Sequence, residues 1–578
     1  MPASGRSYVR WCLPLSLLVA AGVPSADAQE QHKQPQNKHV QLRLLGLNDF
    51  HGHLKADDPP LSRRQDPSQT PVGGVEYLAT TLQQLRASAP GSTLTVAAGD
   101  LIGGSTFISG LFQDEPAVEA LDALKLDVSS VGNHEFDEGT TELLRMQYGG
   151  CHPVAGCFLP GVTYPGARFR WLSANVVQKR DGMTLLPAYE VRDVQGVKVG
   201  FIGMTLEATN TLVSPAGVST VDFLDEVETA NLYARALVRQ GVKSIIVLLH
   251  EGGLQTGAYN ECAGISGPVA DIAARLDPEI DALITGHTHE PYICSIPGPD
   301  GQPRPVTSAA SYGRVVTELN LVLNRSSGNV IPERTTAFNH LVTRTVAKDP
   351  VQTAIITKWN AMAAPRAARV LGRISADITG DASGNRGIET PMADVVADSI
   401  LFGTEGAKGG AQLALTNVGG VRASLRAGTI TNGEQPGEVT YEEAYLVLPF
   451  GNLLVSLDLT GDQIRQILEE QYQPVPARGA RPMLALGVSH GFTYEWDATR
   501  PQGSRVVPGS MKLHGVPLDL AATYRVGTLN FLADGGDLFT TFTQGQNRLG
   551  GPEDLENLAA YLGAVGLLSP PPDRVTGL

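Results

Sequence analysis

Five short strand-like runs in the first half of the chain each stop at a cluster of Asp, Asn or His. Run 40–47 ends at Asn48-Asp49-Phe50-His51, and run 92–98 ends at Gly99-Asp100. Run 125–131 ends at Gly132-Asn133-His134, run 244–249 at His250-Glu251-Gly252-Gly253, and run 280–285 at Gly286-His287-Thr288-His289. Helical stretches, such as 74–87 and 226–240, lie between them. Strands alternating with helices predict an α/β layered fold. In such folds sites form beyond the carboxyl ends of the strands, where all five clusters fall.

The residue types define a chemistry. Asp49, His51, Asp100, Asn133, His250, His287 and His289 offer oxygen and imidazole nitrogen but no thiolate. That donor set suits Zn, Mn, Co or Fe better than Ca. Seven ligands exceed one tetrahedral site and fit two divalent metal ions about 3.5–4 Å apart, the spacing that stabilises attacking and leaving oxygens together. Asp100, with two oxygens to share, is the expected bridge. His134 is then left to face a substrate, with Asp137 holding its ring and favouring its charged form. His32, His39, His152, His340, His490 and His514 are expected to be surface or core residues, and His53 lies close to the site.

At 578 residues the chain predicts two or more domains. The pattern changes near Thr343, and a helical run over 349–370 carries Val351, Ile355, Ile356, Trp359 and Met362. The expected division is 1–28 a signal peptide, 38–345 a first domain, 346–368 a linker helix and 369–565 a second domain. Two helix starts in the second domain have capping-box spacing, Thr440 with Glu443 and Thr460 with Gln463.

In residues 1–28, Arg6 and Arg10 precede an apolar core and Ala26-Asp27-Ala28 offers a cleavage site, as in a secretory signal. Cleavage there would move the net charge from −15 to −16 by removing two Arg and one Asp. An acidic chain is a poor partner for duplex nucleic acid. No later stretch is apolar enough to span a membrane, so a secreted or periplasmic protein is expected. Four cysteines follow the signal, and an even count in an oxidising compartment predicts two disulfides. Cys151 and Cys157 would close a small Gly- and Pro-containing loop, leaving Cys262 and Cys294 to pair.

Taken together, Asp49-Phe50-His51, Gly99-Asp100, Gly132-Asn133-His134-Glu135, His250-Glu251-Gly252-Gly253 and Gly286-His287-Thr288-His289 resemble the calcineurin-like metallophosphoesterases. Gly132-Asn133-His134-Glu135-Phe136-Asp137 with a long C-terminal partner is similar to the secreted 5′-nucleotidases and UDP-sugar hydrolases. The resemblance spans about 40–565. It implies a four-layer αββα first domain joined by a helix to a smaller α/β substrate domain, with the joining helix as a hinge. One metal would be held by Asp49, His51, Asp100 and His289, the other by Asp100, Asn133, His250 and His287. His134 and Asp137 would be the catalytic dyad beside a water, acidified by the cations, that attacks phosphorus.

In the second domain, Asn417 to Arg422, Leu448 to Asn452 and Asn530 to Asp537 combine aromatics, Arg, Asp and Gly in loops. The same resemblance implies that Phe450 and Phe531 sandwich a base and that Asn417 touches it. Asp537 would accept from ribose hydroxyls, while Arg386 and Arg422 hold phosphates. Arg386-Gly387-Ile388-Glu389-Thr390-Pro391 departs from the family pattern after the Glu. The implied substrates are nucleoside 5′-monophosphates, with di- and triphosphates or nucleotide sugars as extensions. A 2′,3′-cyclic nucleotide phosphodiesterase is the nearest alternative, although that branch often has Asn where this chain has Asp137. A non-catalytic nucleotide-binding surface protein is the alternative of another class.

Overall fold

The computed structural model describes residues 38–89, 92–214, 216–380, 385–474, 477–478 and 481–578. The predicted signal, residues 1–28, and His32 lie outside the described residues.

Why the first half folds as it does follows from its apolar runs. Ser244–His250 is buried at every position, as a strand covered on both faces must be. It pairs in parallel with Val197–Thr205 and Ala282–Thr285. Pro303–Ser308, Tyr292–Pro297 and Tyr189–Val194 complete a six-stranded sheet. A second six-stranded sheet runs in the order Thr336–Leu341, Val315–Asn324, His39–Leu47, Thr93–Ala98, Val128–Ser130, Arg170–Leu172. Its last four strands are parallel. One apolar layer joins the sheets, with Leu42, Leu44, Val96 and Val128 of one cluster packed with Phe201, Ile246, Leu248 and Ile284. Helices Val75–Ala87, Glu115–Ala123 and Gly139–Tyr148 cover the second sheet; Glu226–Arg239 and Pro268–Arg275 cover the first. The arrangement is the expected αββα sandwich.

The joining helix is Pro350–Ala367. Asp349 caps it by accepting from the N–H groups of Val351 and Gln352, and Pro350 sits where a helix needs no donor. The run predicted over 349–370 therefore ends early, and Val370 begins a strand instead. The helix is not a free strut. Trp359 is buried, its Nε1 donates to Glu119 at 2.8 Å, and its ring lies 4.9 Å from Phe112.

In the second half a five-stranded sheet orders Leu486–Val488, Leu413–Asn417, Thr523–Leu529, Leu453–Thr460 and Gln546–Glu553. Helix Pro391–Thr404 is apolar almost all round and correspondingly buried. Both predicted capping boxes are present. The second half continues past the expected limit of 565. Leu567–Leu568 pairs with Val370–Ile374, and Val575–Thr576 with Phe492–Glu495. Arg574 clamps Asp398 with two hydrogen bonds of 2.8 and 2.7 Å. Cys151–Cys157 and Cys262–Cys294 are disulfide-bonded, the predicted pairs. Among the described residues no helix is long and apolar enough to cross a membrane.

Candidate metal centre and substrate cavity

The polar clusters converge where the strands end. Five of the seven candidate ligands, Asp49, His51, Asp100, His287 and His289, have left-handed backbone with φ between 48° and 70°. Each such residue costs about 1–3 kcal/mol, and such strain collects at functional sites. The neighbouring glycines permit the crowding. A Cβ on Gly132 would lie 2.2 Å from Asp100 Oδ1, and one on Gly99 would lie 2.5 Å from Gly132 N.

Asp49, His51 and His289 form one group of possible ligand atoms within 4.8 Å, and Asp100, His250 and His287 form another. Asp100 Oδ2 lies 2.9 Å from His250 Nε2 and 3.7 Å from His51 Nε2, so one carboxylate oxygen faces both groups. Asn133 Oδ1 lies 3.0 Å from His287 Nδ1. All seven residues thus share one buried centre. His51, Asp100 and His134 form a third, overlapping group.

The donor atoms fit cations. His51 Nδ1 donates to Gly103 O at 2.8 Å and His250 Nδ1 to Ala98 O at 2.7 Å, so both rings turn Nε2 inward. His51 Nε2 is 3.3 Å from His289 Nε2, a separation that two ring nitrogens tolerate only with a proton or cation between them. Burial pushes His51 and His287 well below the ordinary imidazole value, which leaves their lone pairs to coordinate. Burial also opposes charge on His250, but Asp100 outweighs it and raises that ring to about 10. The proton so favoured sits between His250 and Asp100, where a divalent ion would take its place.

His134 is held differently. Its Nδ1 lies 2.8 Å from Asp137 Oδ2, which also accepts from Gly104 N at 3.0 Å. Burial opposes its charge, yet Asp137 and Asp100 outweigh burial and hold it above the ordinary value.

Several residues around the centre were not legible as functional. Glu135 accepts from the N–H groups of Asp100 and Leu101 at 2.9 and 2.8 Å, bracing the shared ligand. Burial and the adjacent Asp100 charge push it up to about 7. Asn48 Nδ2 donates to Asp49 Oδ2 at 2.7 Å, fixing that carboxylate. Tyr312 stands edge-on to His51 and His289, and His53 stacks on it at 3.9 Å, which puts His53 behind the site. Of the other histidines, His340 and His490 pair with Glu318 and Asp398, and His514 is exposed.

The centre opens into a cavity of about 400 Å³. Arg386, Asn417, Arg422, Phe450, Phe531 and Asp537, all singled out from sequence, line it. Asn417 Nδ2 donates to Asp537 Oδ2 at 2.7 Å. Phe450 lies parallel to His134 with ring centres 5.9 Å apart, and Arg422 covers its ring at 5.5 Å. The loop from Leu206 to Ser214 and the arginines Arg478 and Arg481 line it too. Sequence patterning gave no signal for these three features.

Comparison with known proteins agrees with this geometry. The calcineurin-like phosphoesterase model matches residues 42–291, and the 5′-nucleotidase C-terminal domain model matches 370–544. The Bacillus subtilis protein Endonuclease YhcR is 33% identical over 94% of this chain, which spans only 41% of that longer protein. The cell wall protein Lmo0130 of Listeria monocytogenes is 30% identical over 90% of this chain and 67% of its own length. The crystal structure of a 5′-nucleotidase precursor from Thermus thermophilus superposes with a TM-score of 0.72 at 28% identity, covering 93% of this chain and 99% of that one. These likenesses define the class, a phosphoric ester hydrolase of the metallophosphoesterase kind. The chain belongs to the family in which a calcineurin-like phosphoesterase domain is followed by a 5′-nucleotidase C-terminal domain.

Proposed function

We propose that the chain is a secreted nucleotidase that hydrolyses nucleoside 5′-phosphates. One observation carries the reading. The carboxylate oxygen of Asp100 faces two histidine groups, and the cavity that Asp100 lines is lined also by arginines and by Phe450 and Phe531. Asp49, His51, Asp100 and His289 would hold one divalent ion, and Asp100, Asn133, His250 and His287 a second. Zn, Mn, Co or Fe suits these donors. When bound, the pair would acidify a water and offset charge on the phosphoryl oxygens.

The chain's own residues do the rest. His134, kept cationic by Asp137, holds a proton at Nε2 for the phosphoryl or leaving oxygen. Arg422 and Arg386 orient the phosphate end, and their planar forks suit its oxygens. Phe450 and Phe531 offer flat apolar faces to the base, and Asp537, braced by Asn417, accepts from ribose hydroxyls. Glu135 and Asn48 position ligands without touching substrate. The disulfides support an oxidising compartment.

The test is inorganic phosphate release from a panel of nucleoside mono-, di- and triphosphates, a nucleotide sugar and a 2′,3′-cyclic nucleotide, with and without chelator. Chelator-sensitive release from nucleoside 5′-phosphates is expected. Because one relative bears the name endonuclease, an RNA and a DNA oligomer belong in the panel. Cleavage of those polymers without release from any nucleoside 5′-phosphate would overturn the proposal.

A further inference from the structure

Two short helices, one from each half of the chain, meet beside the site. The first, Phe107–Gly110, follows directly on a loop that holds the metal centre. In that loop Gly103 O accepts from His51 Nδ1 at 2.8 Å, and Gly104 N donates to Asp137 at 3.0 Å. Thr106, at the head of the helix, donates its hydroxyl to Gly52 O at 2.8 Å, next to His51 in the chain. This helix is thus tied to a candidate ligand and to the dyad. The second, Tyr441–Val447, carries substrate-facing residues of the other half. Its last carbonyl, Val447 O, accepts from Arg422 N at 3.0 Å, and the chain runs on from Val447 directly to Phe450. Arg422 covers the Phe450 ring at 5.5 Å, and that ring lies parallel to His134 with centres 5.9 Å apart.

The helices touch through Tyr445 and Gly110. Tyr445 is buried, with its ring edge-on to Phe107 at 5.3 Å. A Cβ on Gly110 would overlap the Tyr445 hydroxyl oxygen and would lie 2.8 Å from its Cζ. Glycine suits a helical turn poorly, since it gives up more backbone freedom than alanine. Handedness does not call for it here either, because the Gly110 φ is not positive. The tyrosine does call for it: only a bare backbone lets the end of the ring sit so close.

We propose that Tyr445 and Gly110 are positioning residues. Seated on the bare Gly110 backbone, Tyr445 sets Phe450 and Arg422 of the second half in register with His134 and the metal centre of the first. The proposal rests on the nucleotidase reading above. Neither residue lines the cavity, so both act only through the groups they place. A displacement of about 1 Å made far from the chemistry can cost about 10²-fold in rate, which sets the scale of the effect.

The experiment follows hydrolysis of AMP and 4-nitrophenyl phosphate by wild type, Gly110→Ala, Tyr445→Phe, the double variant and Tyr445→Ala in the full-length chain. Metal content and urea midpoint are measured for each. Gly110→Ala should lower kcat/KM for AMP by ~10- to 100-fold with metal content unchanged. 4-Nitrophenyl phosphate brings no base to Phe450 and should lose much less. Tyr445→Phe alone should stay close to wild type. In the double variant it should restore part of the AMP loss, because it removes the atom that the new methyl overlaps. The urea midpoint should follow the same cycle, which reads the contact without reference to activity. Unaltered AMP hydrolysis in Gly110→Ala, equal losses on the two substrates, or a double variant no better than Gly110→Ala overturns the proposal and leaves the nucleotidase reading standing. Should Gly110→Ala fail to fold, Tyr445→Ala decides, since it removes the seat without adding bulk: a fall in the ratio of AMP to aryl phosphate turnover supports the proposal, and an unaltered ratio overturns it. A wild-type chain active on 4-nitrophenyl phosphate but inert toward nucleoside 5′-phosphates overturns both.

Discussion

His134 bears the sharpest test among single side chains. It touches Asp137 through Nδ1, yet it also falls within 4.8 Å of His51 and Asp100 in a group that could hold an ion. If it is a proton donor, His134→Ala should lower kcat by about 10²–10⁴-fold with metal content unchanged by elemental analysis. Loss of a full metal equivalent would make it a ligand instead. The residues gathered at this centre could be picked out from sequence because most of them are polar donors at or just beyond the end of an apolar run. Glu135 and Asn48 could not, because their work is to hold backbone and carboxylate groups brought near only by folding. Arg481 lies in a stretch with no hydrophobic period, so its cavity-facing position had no local sign.

At the scale of elements, period and punctuation carried the prediction. Strands beneath the site were legible because burial on both faces demands continuous apolar runs. Their starts were not. The run over 125–131 yields only Val128–Ser130, because Lys125 turns the chain with φ at 59°. The pairings of Leu567–Leu568 and Val575–Thr576 were also missed, since two residues carry no period. The capping box at Thr440 is a quantitative case. Its hydroxyl accepts from Glu443 N while the Glu443 side chain accepts from Thr440 N at 2.8 Å. Thr440→Ala should cost about 0.5–2 kcal/mol, read as a lower urea midpoint at constant slope. A change within error would show that helix Tyr441–Val447 is held by packing alone.

Across the whole molecule the two halves share a core. Ile355 and Trp359 of the joining helix belong to one apolar cluster with Leu121 of the first half and Val396 and Tyr445 of the second. The ring of Phe107 lies 5.3 Å from Tyr445, and Lys55 pairs with Glu442 at 3.3 Å. Relative domain motion is the ordinary expectation unless an interface is large and apolar, and here one apolar cluster is common to both halves. Calorimetry of the oxidised protein should therefore give one cooperative melting transition. Two transitions well separated in temperature would show that the halves are energetically independent. The clasp between Arg574 and Asp398, with the strand Val575–Thr576 beside it, matters for time as well as for strength. Domains fold largely in the order in which they are synthesised. The first sandwich has every strand it needs once residue 341 has emerged. One small sheet of the second half closes only with residue 576, so during synthesis a first sandwich whose strands have all emerged is tethered to a partner that is still incomplete.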